Sequence, residues 1–304
     1  MTNIYKNKII SIHFKYFLAL ILFGSNGIVA GFISLNSYEI VFFRTLIGSL
    51  FLTGIFINTK YKLNCLKNKK HLMYLIVSGM AMGTSWMFLY EAYSEVGVSL
   101  GTLAYYCGPV IVIICSPLIF NEKMTFLKIF GFVFVLMGMY IVNGNALEQN
   151  VSLWGLFCGI FSAIMYSFMV IFNKKAKSIT GMENAVIQLI SSFIAAALFV
   201  IINEGFPVLN IRDNIIPILF LGIVNTGIGC YLYFSSIQKL PTSTVAVCGY
   251  LEPLSALLFS AIFLKERLSA IQIFGALFIL GGAVISKLSA NKIMYMLLIK
   301  AKEH

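Results

Sequence analysis

Ten runs of mainly apolar residues, each long enough to cross a bilayer, fix the fold class before any other feature is read. A membrane-crossing helix needs roughly 20 such residues to pass a hydrocarbon core about 30 Å thick. Inside lipid each backbone N–H and C=O must be paired within its own segment, so runs of this length take the form of helices. From hydropathy and breaks they lie at 14–33, 37–58, 72–94, 99–120, 125–143, 151–172, 184–203, 214–238, 242–264 and 268–287. The gaps between them are too short for a soluble domain. The expectation is an all-α integral membrane protein with ten transmembrane helices.

The net charge of +11 raises nucleic acid as a partner, and the placement of the charges argues against it. With the N-terminus inside, Arg212, Lys265 and Arg267 fall outside and Arg44 lies within a span; every other Lys and Arg falls inside. That bias is a topology signal spread over many loops, and it puts both ends of the chain in the cytoplasm. The first run follows a basic stretch as a signal peptide would. It is long and ends at no small-residue cleavage site, so it is read as a retained span of the plasma (inner) membrane. Five of the six cysteines (Cys107, Cys115, Cys158, Cys230 and Cys248) lie in spans, Cys65 lies in a loop, and none has metal-ligand spacing. No metal, disulfide or cofactor is expected. The tail 288–304 is too short to span and is read as a cytoplasmic segment whose lysines meet anionic lipid.

An internal repeat runs through the chain at an offset of 144. The segment "PVIVIICSPLIFNEKMTFLKIFGFVFVLMGMYIV" (109–142) aligns without gaps on "PLSALLFSAIFLKERLSAIQIFGALFILGGAVIS" (253–286). Pro109/Pro253, Glu122/Glu266, Gly131/Gly275 and Gly138/Gly282 fall in register, which apolar composition alone does not produce. Spans 4 and 5 thus correspond to spans 9 and 10. Residues 14–143 and 151–287 read as two five-helix repeats. Five is odd, so the second repeat enters the membrane inverted relative to the first, an arrangement typical of transporters that rock one half against the other.

These residues resemble the EamA-type members of the drug/metabolite transporter (DMT) superfamily. The likeness rests on "FGSNGIVAGF" (23–32), Arg44 in "FFRTLIG", and the paired "GPVIVIICSPLIFNEKMT" and "EPLSALLFSAIFLKERLS". It implies a ten-helix carrier with a central cavity that works by alternating access. It also implies small organic substrates such as amino acids, amines or sugar-linked metabolites, often moved outward.

Glu252 is the leading site residue. It lies about ten residues into span 9, near the midplane, where an ionisable group carries a penalty of about 2.5–3.5 kcal/mol and marks function by default. A carboxyl that gains and loses a proton there couples a substrate to proton movement, or pairs with a cationic substrate; the bland reading is an acid satisfied by hydroxyls or by Arg44. Pro253 and Pro109 each remove a backbone N–H and disturb the carbonyl four residues earlier, of Gly249 and of Tyr105. Matched helix interruptions in two halves point to a binding site, or to simple kinks for packing. Arg44 is expected to pair with Glu39 or Glu91 near the outer boundary, or to hold a substrate carboxylate. Tyr105, Tyr106 and Tyr250 beside the prolines, and Trp86 with Tyr90 and Tyr93 in span 3, are candidate lining for an ammonium or an aromatic ring. Asn26 and Ser25 are polar at mid-depth in span 1; Glu91 is read as snorkelling or as a gate. Glu122 and Glu266 are expected to cap the helices that follow them. The glycine face of Gly131, Gly138, Gly275 and Gly282 is expected to serve close packing or a homodimer contact.

A secondary carrier for small organic metabolites accounts for these features best, with amino acids or related compounds as substrates, export as the favoured direction and proton coupling through Glu252. A passive channel or facilitator wants rings of repeated polar groups. A scaffold needs no midplane acid. A membrane enzyme wants clustered catalytic groups, and His13, His71 and His304 all lie near cytoplasmic ends.

Overall fold

Each apolar run folds as the hydrophobic pattern dictates, and the chain caps and breaks these helices where its polar and glycine residues stand. In a computed structural model of the chain, residues 2–59, 63–122, 124–143, 152–205, 214–263, 265 and 269–287 are described. Helices α1 (Thr2–Gly24) and α2 (Asn26–Gly31) form span 1, and α3 (Ser37–Asn58) forms span 2. Asn36 starts α3 with a capping box in which its side chain accepts from the Glu39 N–H and Glu39 reaches back. Helix α4 (Lys69–Tyr105) carries span 3 and the first part of span 4, with a sharp kink between them at Gly97 (φ 79°). That left-handed conformation is open to glycine without strain. Helix α5 (Cys107–Phe120) completes span 4, and α6 (Phe126–Asn143) is span 5.

The second half repeats the plan. Helices α7 (Leu153–Lys175) and α8 (Met182–Glu204) are spans 6 and 7. Span 8 is built from α9 (Ile215–Phe220), a π-helical stretch (Leu221–Ile228) and α10 (Gly229–Ile237). Span 9 is α11 (Thr242–Gly249) followed by α12 (Leu251–Phe263), and span 10 is α13 (Ala270–Lys287). Among the described residues, eight segments are long and apolar enough to cross a membrane, and two shorter apolar helices lie at Phe126–Ile141 and Ile273–Ile285. Among the described residues there is no strand, so the fold is all-α.

The 144-residue offset reappears residue by residue in the backbone. Tyr106 interrupts span 4 and Tyr250 interrupts span 9. Asn121 (φ 53°) and Lys265 (φ 55°) take the left-handed conformation at matching positions, and the bounds of α6 and α13 correspond at both ends. The two repeats also meet symmetrically. A methyl group on Gly138 would stand 2.6 Å from the Gly275 carbonyl oxygen and 2.8 Å from the Ile279 nitrogen; one on Gly282 would meet the Gly131 carbonyl and stand 2.8 Å from the Val135 nitrogen. Phe134 stacks on its own counterpart Phe278 at 5.1 Å and 10°. Residue i touching j while the equivalent of j touches the equivalent of i is the mark of a two-fold relation. The glycine face therefore joins the two halves of one chain.

Because the obstacles here are backbone atoms, a side chain cannot be accommodated by rotation. Gly282→Val is expected to cost about 1–3 kcal/mol of stability through overpacking. Thermal unfolding in detergent checks this; a melting temperature equal to that of the parent would show that α6 and α13 have room to part.

Candidate functional site

The two helix breaks face each other. Tyr250 is fully buried, and its hydroxyl donates to the carbonyl of Tyr106 at 2.9 Å, with the rings 5.7 Å apart. Pro109 and Pro253 sit in the first turns of α5 and α12, where a helix N–H has no intrahelical partner to lose. The breaks fall at Tyr106 and Tyr250, three residues before each proline. In the first half the carbonyl taken up by the opposite repeat is that of Tyr106, where the proline pattern pointed to Tyr105. Tyr250, expected to line a cavity, stands here as a tie between the breaks.

Arg44 is almost completely buried and makes no pair with Glu39 or Glu91. Its Nε donates to Thr226 Oγ1 at 3.0 Å and its Nη1 to the Tyr90 hydroxyl at 3.2 Å. The guanidinium lies over the Trp86 ring, 4.4 Å from its centroid. Nη2 is buried with no hydrogen-bond partner. The two glutamates expected to neutralise it are engaged elsewhere. Glu39 belongs to the cap of α3, while Glu91 accepts from the Tyr38 hydroxyl and, at 3.3 Å, from Trp154 Nε1. Glu91 thus ties spans 2, 3 and 6 together.

Glu252 lies within electrostatic reach of Arg44 and of Tyr16, Tyr93, Tyr105, Tyr106 and Tyr166. Tyr93 and Tyr105 lie within electrostatic reach of both Glu252 and Arg44. The rings touch in series. Tyr105 lies 5.4 Å from both Tyr106 and Tyr166, the Tyr166 and Tyr233 hydroxyls are 3.3 Å apart, and Tyr233 packs on Tyr16 at 5.6 Å and Phe23 at 5.7 Å. Trp86, Tyr93 and Glu252 are only half-buried. Tyr16, Tyr166 and Tyr233 escape the sequence reading because a lone tyrosine in an apolar span carries no mark of its direction.

Span 1 is broken beside this cluster. Its two helices meet at Ser25, and Asn26 opens the second. Asn225, on the π-helical stretch of span 8, donates to the Leu22 carbonyl (3.0 Å), Ser25 Oγ (2.9 Å) and Asn26 Oδ1 (2.8 Å). Its neighbour Thr226 receives Arg44. The π-turn thus turns one residue to the span 1 break and the next to the arginine, a placement that π-bulges often serve at functional sites. Span 1 meets span 9 at Gly24, where a Cβ would meet Ser255 Oγ and stand 2.8 Å from the Glu252 carbonyl oxygen.

A second polar group ties the turn before span 9. Glu122 accepts from the backbone N–H groups of Thr242 and Ser243, the latter at 3.2 Å. It caps α11 in the opposite half, and not the helix that follows it, which Thr125 serves (Lys128 N–H to Thr125 Oγ1, 3.4 Å). Glu266 lies outside the described residues. Lys174 Nζ donates to the carbonyls of Leu240 and, at 3.0 Å, Ile237, closing the end of α10. Burial pushes the Glu122 carboxyl up, but the hydrogen bonds from Thr242 and Ser243 and the Lys174 ammonium outweigh it and hold it below the ordinary value of 4.5. A carboxyl held low in the folded state adds stability above the unfolded value and loses it as pH falls through the folded one. Glu122→Gln is therefore expected to melt lower than the parent at neutral pH, with the gap closing under acid; a melting series from pH 7 downward reads it. A gap that stays constant with pH would remove the charge from the cap.

Comparison with known proteins agrees with this architecture. The model of the EamA-like transporter family matches the chain twice, at residues 10–144 and 153–288. The chain is 22% identical over 281 residues to the uncharacterized transporter YxxF of Bacillus subtilis (strain 168), covering 90% of this chain and 88% of that protein. It is 25% identical over 255 residues to the uncharacterized transporter YoaV of the same organism, covering 82% and 86%. A solved crystal structure shares the fold with a TM-score of 0.78 at 16% identity, covering 91% of this chain and 98% of that one. A multi-pass helical membrane protein matched twice over nearly its whole length in this way is a transporter and not an enzyme: the chain belongs to the EamA-like transporter family.

Proposed function

We propose that the chain is a secondary carrier that moves amino acids or related zwitterionic metabolites by alternating access, with Arg44 holding the substrate carboxylate and Glu252 its ammonium. The observation that carries this reading is the buried Arg44 guanidinium, which has one nitrogen unpaired and lies within electrostatic reach of Glu252. A buried charged donor left without a partner is unfavourable, and a planar carboxylate is its natural complement. Half-buried Trp86 and the tyrosines supply π faces to an ammonium or an aromatic side chain. The halves 14–143 and 151–287 act as inverted repeats. The two-fold contact between α6 and α13 and the five spans assigned to each half support this reading. The protein works in the plasma (inner) membrane with both termini cytoplasmic, exports its substrate, and uses Glu252 to carry a proton in exchange.

The test is thermal stabilisation of the purified chain by amino acids, amines and organic acids at pH 6 and pH 8. A ligand at about 100 times its dissociation constant stabilises by about 2.7 kcal/mol. Stabilisation by amino acids, with weaker effects from amines lacking the carboxylate and acids lacking the ammonium, is the expected outcome. Equal stabilisation by simple amines would sink the role of Arg44. Counterflow into vesicles separates carrier from channel, because only a carrier is driven by substrate on the far side.

A further inference from the structure

On the face where the lysines gather, a cavity of about 410 Å³ opens between the two halves. Lys70, His71 and Tyr74 on α4 and Phe120 at the end of α5 come from the first half; Lys175 and Lys177 at and beyond the end of α7 come from the second. Its charged lining is all of one sign. Lys174, one residue before Lys175, turns inward to close α10, so the end of α7 sends one ammonium into the core and the next to the cavity. None of the three cavity lysines makes an ion pair among the described residues. His71 is held in place: its Nδ1 accepts the Ser178 N–H at 3.1 Å and lies 2.6 Å from Ser178 Oγ. Tyr74 and Phe120 give the same cavity an apolar side.

Three like charges converging on one space repel each other unless an anion sits among them, and a phosphate group accepts from several ammoniums at once. Basic pockets between membrane helices hold acidic headgroups for this reason. We propose that this cavity binds a phosphate-bearing anion, an acidic phospholipid headgroup or a soluble phosphate, through Lys70, Lys175 and Lys177, and so ties the first half to the second. The site is separate from Arg44 and Glu252 and does not rest on the substrate reading.

The experiment uses the full chain in nanodiscs of phosphatidylcholine alone or with phosphatidylglycerol, and in phosphatidylcholine with inorganic phosphate at millimolar concentration. The variants are the triple Lys70→Ala/Lys175→Ala/Lys177→Ala and a control of equal charge change, Lys67→Ala/Lys128→Ala/Lys239→Ala. The reading is the melting shift that each addition causes within one variant, so a lower baseline in the triple variant does not matter. A rise of several degrees with phosphatidylglycerol in the parent and the control, absent from the triple variant, supports a lipid headgroup. The same pattern with phosphate alone supports a soluble anion. No shift in either arm, a shift that survives in the triple variant, or one lost equally in the control would overturn the site.

Discussion

Glu252→Gln is expected to abolish the response of transport to an imposed pH gradient and to weaken an ammonium-bearing substrate about 10–100-fold. Glutamine keeps the size and hydrogen-bonding reach of the side chain and removes its charge and its proton. A hydrogen bond to a charged group contributes about 1.5–3 kcal/mol, and each 1.4 kcal/mol is a factor of ten in affinity. The residue is placed for this by two neighbours. Its carbonyl oxygen lies against Gly24 at the break in span 1, and its side chain lies within reach of a cluster of buried tyrosines and of Arg44. Counterflow of labelled substrate at equal pH on both sides should persist in the variant, because exchange needs the binding site and no net proton. Uptake against a pH gradient, followed in proteoliposomes, reads the first claim, and ligand-induced melting shifts read the second. A variant still driven by the gradient, whose only defect is a lower melting temperature, would make Glu252 a structural acid.

Much of the fold was legible because it depends on local pattern. Span 2 ends where the hydropathy breaks said, at residues 37 and 58, and the 144-residue repeat returned as matched helix ends at Phe126/Ala270 and Asn143/Lys287. That spans 4 and 9 are interrupted near Pro109 and Pro253 was also legible, since proline acts through its own backbone. Partner choice was not. Arg44 finds Thr226, 182 residues away, because a π-turn in span 8 rotates Thr226 toward it, and Gly222 and Gly227 within that turn do not by themselves tell a π-turn from an ordinary apolar helix. Glu122 caps a helix 120 residues later because the first half folds across the second. The break in span 1 had a weak signal in Gly24-Ser25-Asn26-Gly27, but what holds it is Asn225, again from the far half. Sequence marks where a helix yields; which element answers is set by tertiary packing.

Arg44→Lys is expected to separate the fold from the binding site, since it keeps the charge and loses the fork. The guanidinium serves Thr226 and Tyr90 with two nitrogens, lies flat on Trp86 and still offers Nη2. A lysine ammonium is a point charge that cannot hold this planar set while also offering a bidentate face to a carboxylate. Carboxylate-bearing ligands should weaken about 10–100-fold, on the same charged hydrogen-bond scale of about 1.5–3 kcal/mol. Ligands that carry only an ammonium should be little affected, because their partner is Glu252. Arg44→Ala goes further: it empties a buried volume over Trp86 and takes the donors from the Tyr90 and Thr226 oxygens, and truncations of this size cost about 2–5 kcal/mol. Melting curves of the two variants, with and without each ligand class, make the division. If Arg44→Lys binds carboxylates as the parent does and only Arg44→Ala is impaired, the arginine braces spans 2, 3 and 8 and the substrate carboxylate lies elsewhere. If both variants lose carboxylates while Arg44→Lys keeps a near-parental melting temperature, the unpaired nitrogen is the substrate's.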